Sequence, residues 1–158
     1  MDSLLFAART IVLAGIEDSG VPLSHTLEFH LSSTLAKFMV QPMDAEALTW
    51  RLANASDEDP RGGKVRDVAD ECLICCALFP QRLRRHGSIQ YFSGVGQTAY
   101  DAIGMSEVAL GFPHMLDVLA EFRHEDGDEM ILVDMARSGS TKARQELRES
   151  NVVMFRPR

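Results

Sequence analysis

Three cysteines, Cys72, Cys75 and Cys76, form the first group of residues in this sequence whose types and spacing could do chemistry. A Cys-x-x-Cys pair can bind zinc or exchange disulfides, but a zinc site needs four ligands and the chain contains no second cysteine pair. All three thiols fall on the apolar side of a helical pattern, where cysteine behaves as a small hydrophobic residue. An odd number of cysteines so close together cannot form a disulfide framework, so we expect free thiols packed in a core.

A second candidate pair is formed by Glu121 and His124, whose spacing places both side chains on one helix face, as in half of a di-iron site. A complete site needs a second Glu-x-x-His pair and two further glutamates, and the chain has no other Glu-x-x-His. The polar residues that follow His124 are typical of a solvated helix end, where a histidine interacts favourably with the helix dipole. We therefore expect no metal and no cofactor. A metal-binding protein or enzyme that uses Glu121 and His124 with carboxylates or histidines from other helices remains the alternative.

A compact basic segment contains Arg82, Arg84 and Arg85 in a chain whose net charge is −7. The arginines are candidates for binding an acidic partner, a phosphate or RNA. Tyr91 and Tyr100 follow closely and could build a pocket with them, although aromatic residues at helical spacing are more often core. Charge runs of this kind are more typical of a solvated helix end. General nucleic-acid binding is not expected, because the acidic balance opposes the neutralisation of phosphates.

The elements that must position these residues are helices, because apolar residues recur at helical spacing and no long stretch alternates as a strand would. Pro80 is expected to break the long central helix, Gly111 and Pro113 are expected to split the sixth helix, and Ser140 is expected to cap the last one. A loop is predicted at 56–63, which contains no apolar residue. Helices are predicted over 3–18, 64–79, 89–103, 106–122, 129–137 and 141–149. A further helix is expected to begin at Pro22 and Ser24 and to end at Pro42, and a shorter one is expected to begin at about 44.

The fold class predicted from this pattern is all-α, with residues 1–158 forming one bundle of seven to eight helices with short connections. The helix in 1–20 is expected to be peripheral or to form a dimer contact. A hydrophobic content of 46% excludes disorder, and the longest apolar run, Cys72–Phe79, is too short to cross a bilayer. Asp2 and Arg9 do not suit a signal peptide, so we expect a cytoplasmic protein without a membrane partner.

Three stretches resemble a group of uncharacterised bacterial all-helical proteins. They are Val-Ala-Asp-Glu-Cys-Leu from 68, Leu-Phe-Pro-Gln-Arg-Leu from 78 and Tyr-Phe-Ser-Gly-Val-Gly-Gln-Thr-Ala-Tyr from 91. That group has a Gly-Asp-x-x-Leu helix, a Phe-Phe or Phe-Pro break and a helix ending in Ala-Tyr. The chain departs from it at Ala69, where the group usually has glycine. The resemblance, over about 23–150, implies a bacterial intracellular helical domain and brings no activity or catalytic residue.

No catalytic residue is predicted, and we therefore expect a non-enzymatic helical domain that binds a protein partner or regulates one. A second copy of the chain, forming a homodimer, is one such partner. An exposed apolar patch on the first helix, or the segments around four methionines, would mark the contact surface. These methionines are Met39, Met43, Met130 and Met135.

Overall fold

Helices make up the regular structure of this protein, and no strand occurs in the residues that the structure describes. This computed structural model describes residues 2–41, 48, 51, 54, 63–122, 137 and 139–150. Six helices of ten residues or more and the single turn α4 lie within these ranges. The all-α class is confirmed, while the number of helices in the whole chain stays a prediction. The segments are α1 (Asp2–Ser19), α2 (His25–Phe38), α3 (Gly63–Leu78), α4 (Pro80–Arg84), α5 (Ile89–Ala102), α6 (Ser106–Ala120) and α7 (Thr141–Ser150).

Several predictions lie outside the described residues. These include the helix over 129–137 except its last residue, most of the helix from about 44, and the loop at 56–63 except Gly63. The same holds for Met43, Met130 and Met135.

The starts of α2 and α5 are each capped by a serine. The Ser24 hydroxyl accepts a hydrogen bond from the Leu27 amide at 3.2 Å, and Ser88 accepts one from the Tyr91 amide at 3.0 Å. Each serine satisfies an N–H group that has no partner within its helix. Pro22 lies before the cap and outside α2, so the prediction that it begins the helix was wrong.

The two prolines expected to interrupt helices behave differently. Pro80 separates α3 from α4 as predicted, and it occupies the first position of α4, where its missing N–H costs nothing. Pro113 does not split α6, which continues through it, so that prediction was wrong. The packing of α6 explains this, because the neighbouring Phe112, Met115 and Leu116 are completely buried and hold the helix in place.

Helix α3 is central to the fold, as its apolar spacing predicts. Every residue from 68 to 77 is buried, and α3 packs against α2, α4, α5 and α6. Gly96 allows α5 to approach closely, because a Cβ there would lie 2.6 Å from Cε2 of Phe112 and 3.1 Å from Cβ of Cys72. This central position means that polar residues within α3 are removed from water.

Helices α1 and α2 form a layer over one side of α6. Helix α1 packs against α2 and α6, and Gly15 makes room for the contact, since a Cβ there would lie 2.5 Å from the Val118 carbonyl oxygen. Only one side of α1 is covered: Ala8 and Val12 are completely buried, whereas Phe6 is 75% exposed. Among the described helices, none is both long and apolar enough to cross a bilayer.

Candidate functional site

Three polar side chains, here termed the buried cluster, meet between α2, α3 and α5: His30, Asp70 and Tyr100. The Tyr100 hydroxyl donates a hydrogen bond to Oδ1 of Asp70. Nε2 of His30 lies 3.0 Å from the Tyr100 oxygen and 3.4 Å from Oδ1 of Asp70. All three residues are at most 4% exposed, so one carboxylate joins three helices away from solvent.

The direction of the hydrogen bonds in the buried cluster follows from the number of protons available. The Tyr100 hydroxyl has one proton and gives it to Asp70, so the contact between Tyr100 and His30 requires a proton on Nε2 of the imidazole. The hydroxyl of Thr34 lies 3.4 Å from the same nitrogen. Nε2 is therefore committed to the cluster, and Nδ1 is the ring nitrogen that lies on the other side.

The electrostatics of the buried cluster favour an ionised Asp70 beside a neutral Tyr100. Burial alone raises the pKa of Asp70, but hydrogen bonds with His30 and Tyr100 and the charges of His30 and Lys37 outweigh it, so the pKa lies below its ordinary value. Burial, followed by the Asp70 charge, raises the pKa of Tyr100 well above its ordinary value. The raised pKa favours the neutral, hydrogen-bond-donating form of Tyr100 beside the ionised carboxylate.

Lys37 links the buried cluster to the surface. Its Nζ lies 3.2 Å from Oδ2 of Asp70 and 2.6 Å from Oδ1 of Asp67, which is half exposed. Burial lowers the pKa of Lys37, but the hydrogen bonds and charges of Asp67 and Asp70 outweigh burial and raise it above its ordinary value. Nε of Arg66 is more distant, 3.8 Å from Oδ2 of Asp70. Lysine is therefore the main counter-ion of the buried carboxylate.

An open pocket of about 430 Å³ adjoins the buried cluster on the α2 side. His30 connects this pocket to the buried cluster, because it is a lining residue of the pocket and its Nε2 lies 3.4 Å from Oδ1 of Asp70. The other polar lining residues are His25, Thr26, Ser33 and Arg66, and the apolar ones are Phe29, Met105 and Val108.

The structure separates the residues that the sequence grouped as a partner-binding patch. Tyr100 is completely buried in the cluster, so its assignment to a surface patch with the arginines was wrong. Arg82 is exposed and its guanidinium lies 4.7 Å from the centre of the Phe79 ring. Tyr91 is 48% exposed. Arg82 and Arg84 belong to α4, and Arg85 directly follows it.

The cysteines are core residues, as predicted. None of the three forms a disulfide, and all are at most 2% exposed. Burial raises the pKa of the Cys75 thiol to about 12 and raises the pKa of Cys72 and Cys76 as well. Since the thiolate is the reactive form, burial and the raised pKa values oppose reaction of these thiols in the folded protein.

The Glu121 and His124 pair lies at the edge of the described structure. Glu121 follows the last residue of α6, and His124 lies outside the described residues. Within the described ranges, no three His, Cys, Asp or Glu side chains are grouped so that they could hold a metal ion. The metal-binding alternative therefore stays a prediction.

Two further buried carboxylates have structural partners. Glu71 pairs with Arg51. Asp117 of α6 accepts hydrogen bonds from the hydroxyls of Ser140 and Thr141, which anchors the start of α7. Ser140 does precede α7 as expected, and its carbonyl accepts from the Arg144 amide at 3.2 Å.

Exposed apolar side chains concentrate on α1, α2 and the turn after α2. Of the eight large apolar side chains exposed in the described part of the chain, six belong to this region, and the others are Tyr91 and Leu110. Phe6 and Leu13 are two turns apart, so they share one side of α1. The six residues, here termed the α1–α2 face, are Leu5, Phe6, Leu13, Phe29, Met39 and Val40.

The signal that could have revealed the buried cluster is the presence of Asp70 and Glu71 in the middle of an apolar helix predicted to be central. The stretches that resemble the bacterial helical group supply Asp70 and Tyr100, which meet in the cluster. That resemblance remains a prediction.

Comparison of the chain with family models, with curated proteins and with solved structures finds no significant match.

Proposed function

We propose that this chain is a non-enzymatic helical domain that binds proteins, and that it associates with a second copy of itself through the α1–α2 face. The observation that carries the proposal is that this face holds six of the eight exposed large apolar side chains in the described residues. Clustering of this kind marks contact surfaces, whereas isolated exposed apolar residues are normal. The proposal includes a bacterial cytoplasmic domain of seven to eight helices.

The two phenylalanines are the largest side chains of the α1–α2 face. Phe6 is 75% exposed and Phe29 is 66% exposed. An aromatic side chain carries about 150–250 Å², so together these rings leave roughly 300 Å² in water. One partner of a standard interface buries about 800 Å² in total, so the two rings are a large share of what a dimer needs.

The charges on the α1–α2 face favour an identical partner. The chain has a net charge of −7, so two copies repel each other unless their contact surface is close to neutral. Arg9, which lies between Phe6 and Leu13 on α1, contacts Glu28 of α2 at 3.4 Å. The charges within the face therefore compensate each other. A two-fold interface sets the face against itself, and an apolar surface with compensated charges is complementary to its own copy.

Sedimentation equilibrium of the wild type and of a charge variant tests this proposal. Phe6→Glu places a new carboxylate in each copy of the face and removes an exposed ring, so we expect association at least about tenfold weaker than that of the wild type. Leu110→Glu is the matched control, because Leu110 is 80% exposed on α6 and lies outside the face. Circular dichroism verifies that both variants are folded.

Two results would contradict self-association through this face. One is a wild-type chain that stays monomeric over the whole concentration range. The other is a dimer that Leu110→Glu weakens as much as Phe6→Glu does. Stoichiometric metal in the purified protein would instead support the alternative based on Glu121 and His124.

A further inference from the structure

We propose that the pocket beside His30 binds a small organic carboxylate with a short aliphatic or aromatic body, and that Arg66 holds the carboxylate group. This inference goes beyond self-association, and the two proposals share Phe29, which belongs to the α1–α2 face and also lines the pocket. It rests on the polar groups that line the pocket, on its apolar wall, and on the way in which the buried cluster fixes His30.

The polar lining of the pocket suits an anion. Within the described residues it consists of two hydroxyls, two imidazoles and one guanidinium, with no carboxylate among them. Arg66 is not fully neutralised by a carboxylate, since its ion pair within the described chain joins Nε to Oδ2 of Asp70 at the long distance of 3.8 Å. Its side chain is 48% exposed, so part of the guanidinium side chain is accessible to a ligand. A guanidinium binds a carboxylate through two parallel hydrogen bonds.

Asp70 does not need Arg66 as a counter-ion. Its carboxylate already accepts the hydrogen bond of Tyr100 and lies 3.2 Å from Nζ of Lys37, a shorter distance than that to Arg66. Because Asp70 keeps its contacts with Tyr100, His30 and Lys37, Arg66 can bind a ligand without leaving an unpartnered carboxylate in the core.

The apolar wall of the pocket indicates that the anion carries an apolar body. Phe29, Met105 and Val108 line this side, and Phe29 is 66% exposed. Inorganic phosphate would leave the exposed Phe29 ring in water, whereas a short alkyl or aryl chain would cover it. The volume of about 430 Å³ is in the lower part of the range for small-molecule pockets, which is about 300–1,000 Å³.

His30 gives the pocket a rigid wall. Its ring packs edge-on against Tyr100, with centroids 5.2 Å apart, and Nε2 is engaged by the buried cluster. The imidazole is therefore held in one orientation before a ligand arrives. Side chains fixed in this way lose little conformational entropy on binding.

Titration of the isotope-labelled protein with hexanoate, followed by NMR at the Met105 methyl group and the imidazole protons, tests the proposal. We expect saturable shifts with a Kd of about 1 mM. Hexylammonium, which has the same chain length and the opposite charge, should produce no saturable shift. Inorganic phosphate should bind more weakly than hexanoate, because it covers no apolar surface.

Variants of two arginines identify the anchoring group. Arg66→Gln should weaken hexanoate binding about tenfold, and Arg66→Lys should have an intermediate effect because it retains the charge but not the two-bond geometry. Arg82→Gln is the matched control, since Arg82 is exposed and stacks on Phe79. Circular dichroism verifies that the variants are folded.

The proposal is overturned if hexanoate gives no saturable shift up to about 10 mM, if hexylammonium binds equally well, or if Arg66→Gln binds as the wild type does. Repeating the titration with Phe6→Glu protein distinguishes failure of this proposal from failure of self-association. Hexanoate binding to that variant supports the ligand site whatever the oligomeric state is. If hexanoate binds to neither the wild type nor the Phe6→Glu protein, the ligand site is overturned and self-association is unaffected.

Discussion

Replacing Asp70 by asparagine tests the importance of the buried cluster, because this change removes one negative charge and keeps the size of the side chain. In the wild type, the carboxylate accepts the Tyr100 hydroxyl proton and lies close to Nε2 of His30 and Nζ of Lys37. Asparagine has one acceptor oxygen and one donor –NH2 group, and this donor would face either Nζ of Lys37 or the donors of Tyr100 and His30. At least one buried polar group would lose its partner.

The expected loss of stability follows from the burial of the Asp70 and Lys37 charges. Breaking a fully buried ion pair by removing one partner costs about 3–5 kcal/mol. Here the Asp70 side chain is 3% exposed, but that of Lys37 is 29% exposed, and Lys37 keeps its contact with Asp67 at 2.6 Å. The remaining positive charge is thus partly compensated and partly solvated. We therefore expect Asp70→Asn to lower the free energy of unfolding by about 2–4 kcal/mol at neutral pH.

Urea unfolding at several pH values, followed by circular dichroism, measures both the size and the origin of this loss. The pKa of Asp70 in the folded protein lies below its ordinary value, so the unfolded chain takes up this proton first as the pH falls. The stability that ionised Asp70 contributes is complete above the ordinary carboxyl pKa and is lost as the pH falls through the folded pKa. The difference between wild type and variant should therefore shrink in acid.

Asp101→Asn is the matched control, because Asp101 lies on the exposed side of α5 and its contact with Ser106 is in solvent. We expect this variant to stay within about 0.5 kcal/mol of the wild type. The reasoning is refuted if Asp70→Asn costs no more than the control, or if its cost is the same in acid as at neutral pH.

Two further predictions concern the packing of α3 and α5. Gly96→Ala should destabilise the fold by about 1–3 kcal/mol, since the new Cβ would lie 2.6 Å from the buried Phe112 ring. Gly94→Ala should instead stabilise the fold by about 0.5–1 kcal/mol, because no atom lies within 4 Å of the new Cβ and alanine favours the helix. Equal effects in urea unfolding would contradict this. The three cysteines should react with Ellman's reagent only at the rate of unfolding, because burial blocks access to the thiols and raises the pKa of Cys75 to about 12. Rapid labelling of the native protein would contradict a core location.

The helix boundaries could be predicted from the sequence because their causes are local. Ser24 and Ser88 cap the residues that immediately follow them, and Pro80 breaks a helix through its own ring geometry. The central position of α3 was likewise predictable, since its apolar residues cover more than one face. Pro113 shows the limit of local rules, because buried neighbours hold α6 together across a residue that would end an isolated helix.

The buried cluster could not be predicted because it depends on the packing of three helices. His30 and Tyr100 are 70 positions apart, and Asp70 is 30 from Tyr100, so no spacing rule connects them. A tyrosine near an arginine run was a reasonable candidate for a surface patch, but helical phase alone did not show which side of α5 meets α3. The available hint was a pair of acids in an otherwise apolar helix.

The exposure of Phe29 also depends on tertiary packing. The apolar stripe predicted for α2 consists of Leu27, Leu31, Leu35 and Phe38, all of which are buried, and Phe29 lies off that stripe. Its neighbours at the pocket include Arg66 of α3 and Val108 of α6, and the spacing of the stripe does not show which helices lie there.

Isotope-filtered NMR on a mixture of labelled and unlabelled chains tests the central claim most directly, because it detects only contacts between different copies. Self-association through the α1–α2 face predicts intermolecular cross-peaks from the ring protons of Phe6 and Phe29. Cross-peaks from Tyr91 or Leu110 in their place, or no intermolecular cross-peak at concentrations well above those of the sedimentation experiment, would contradict it.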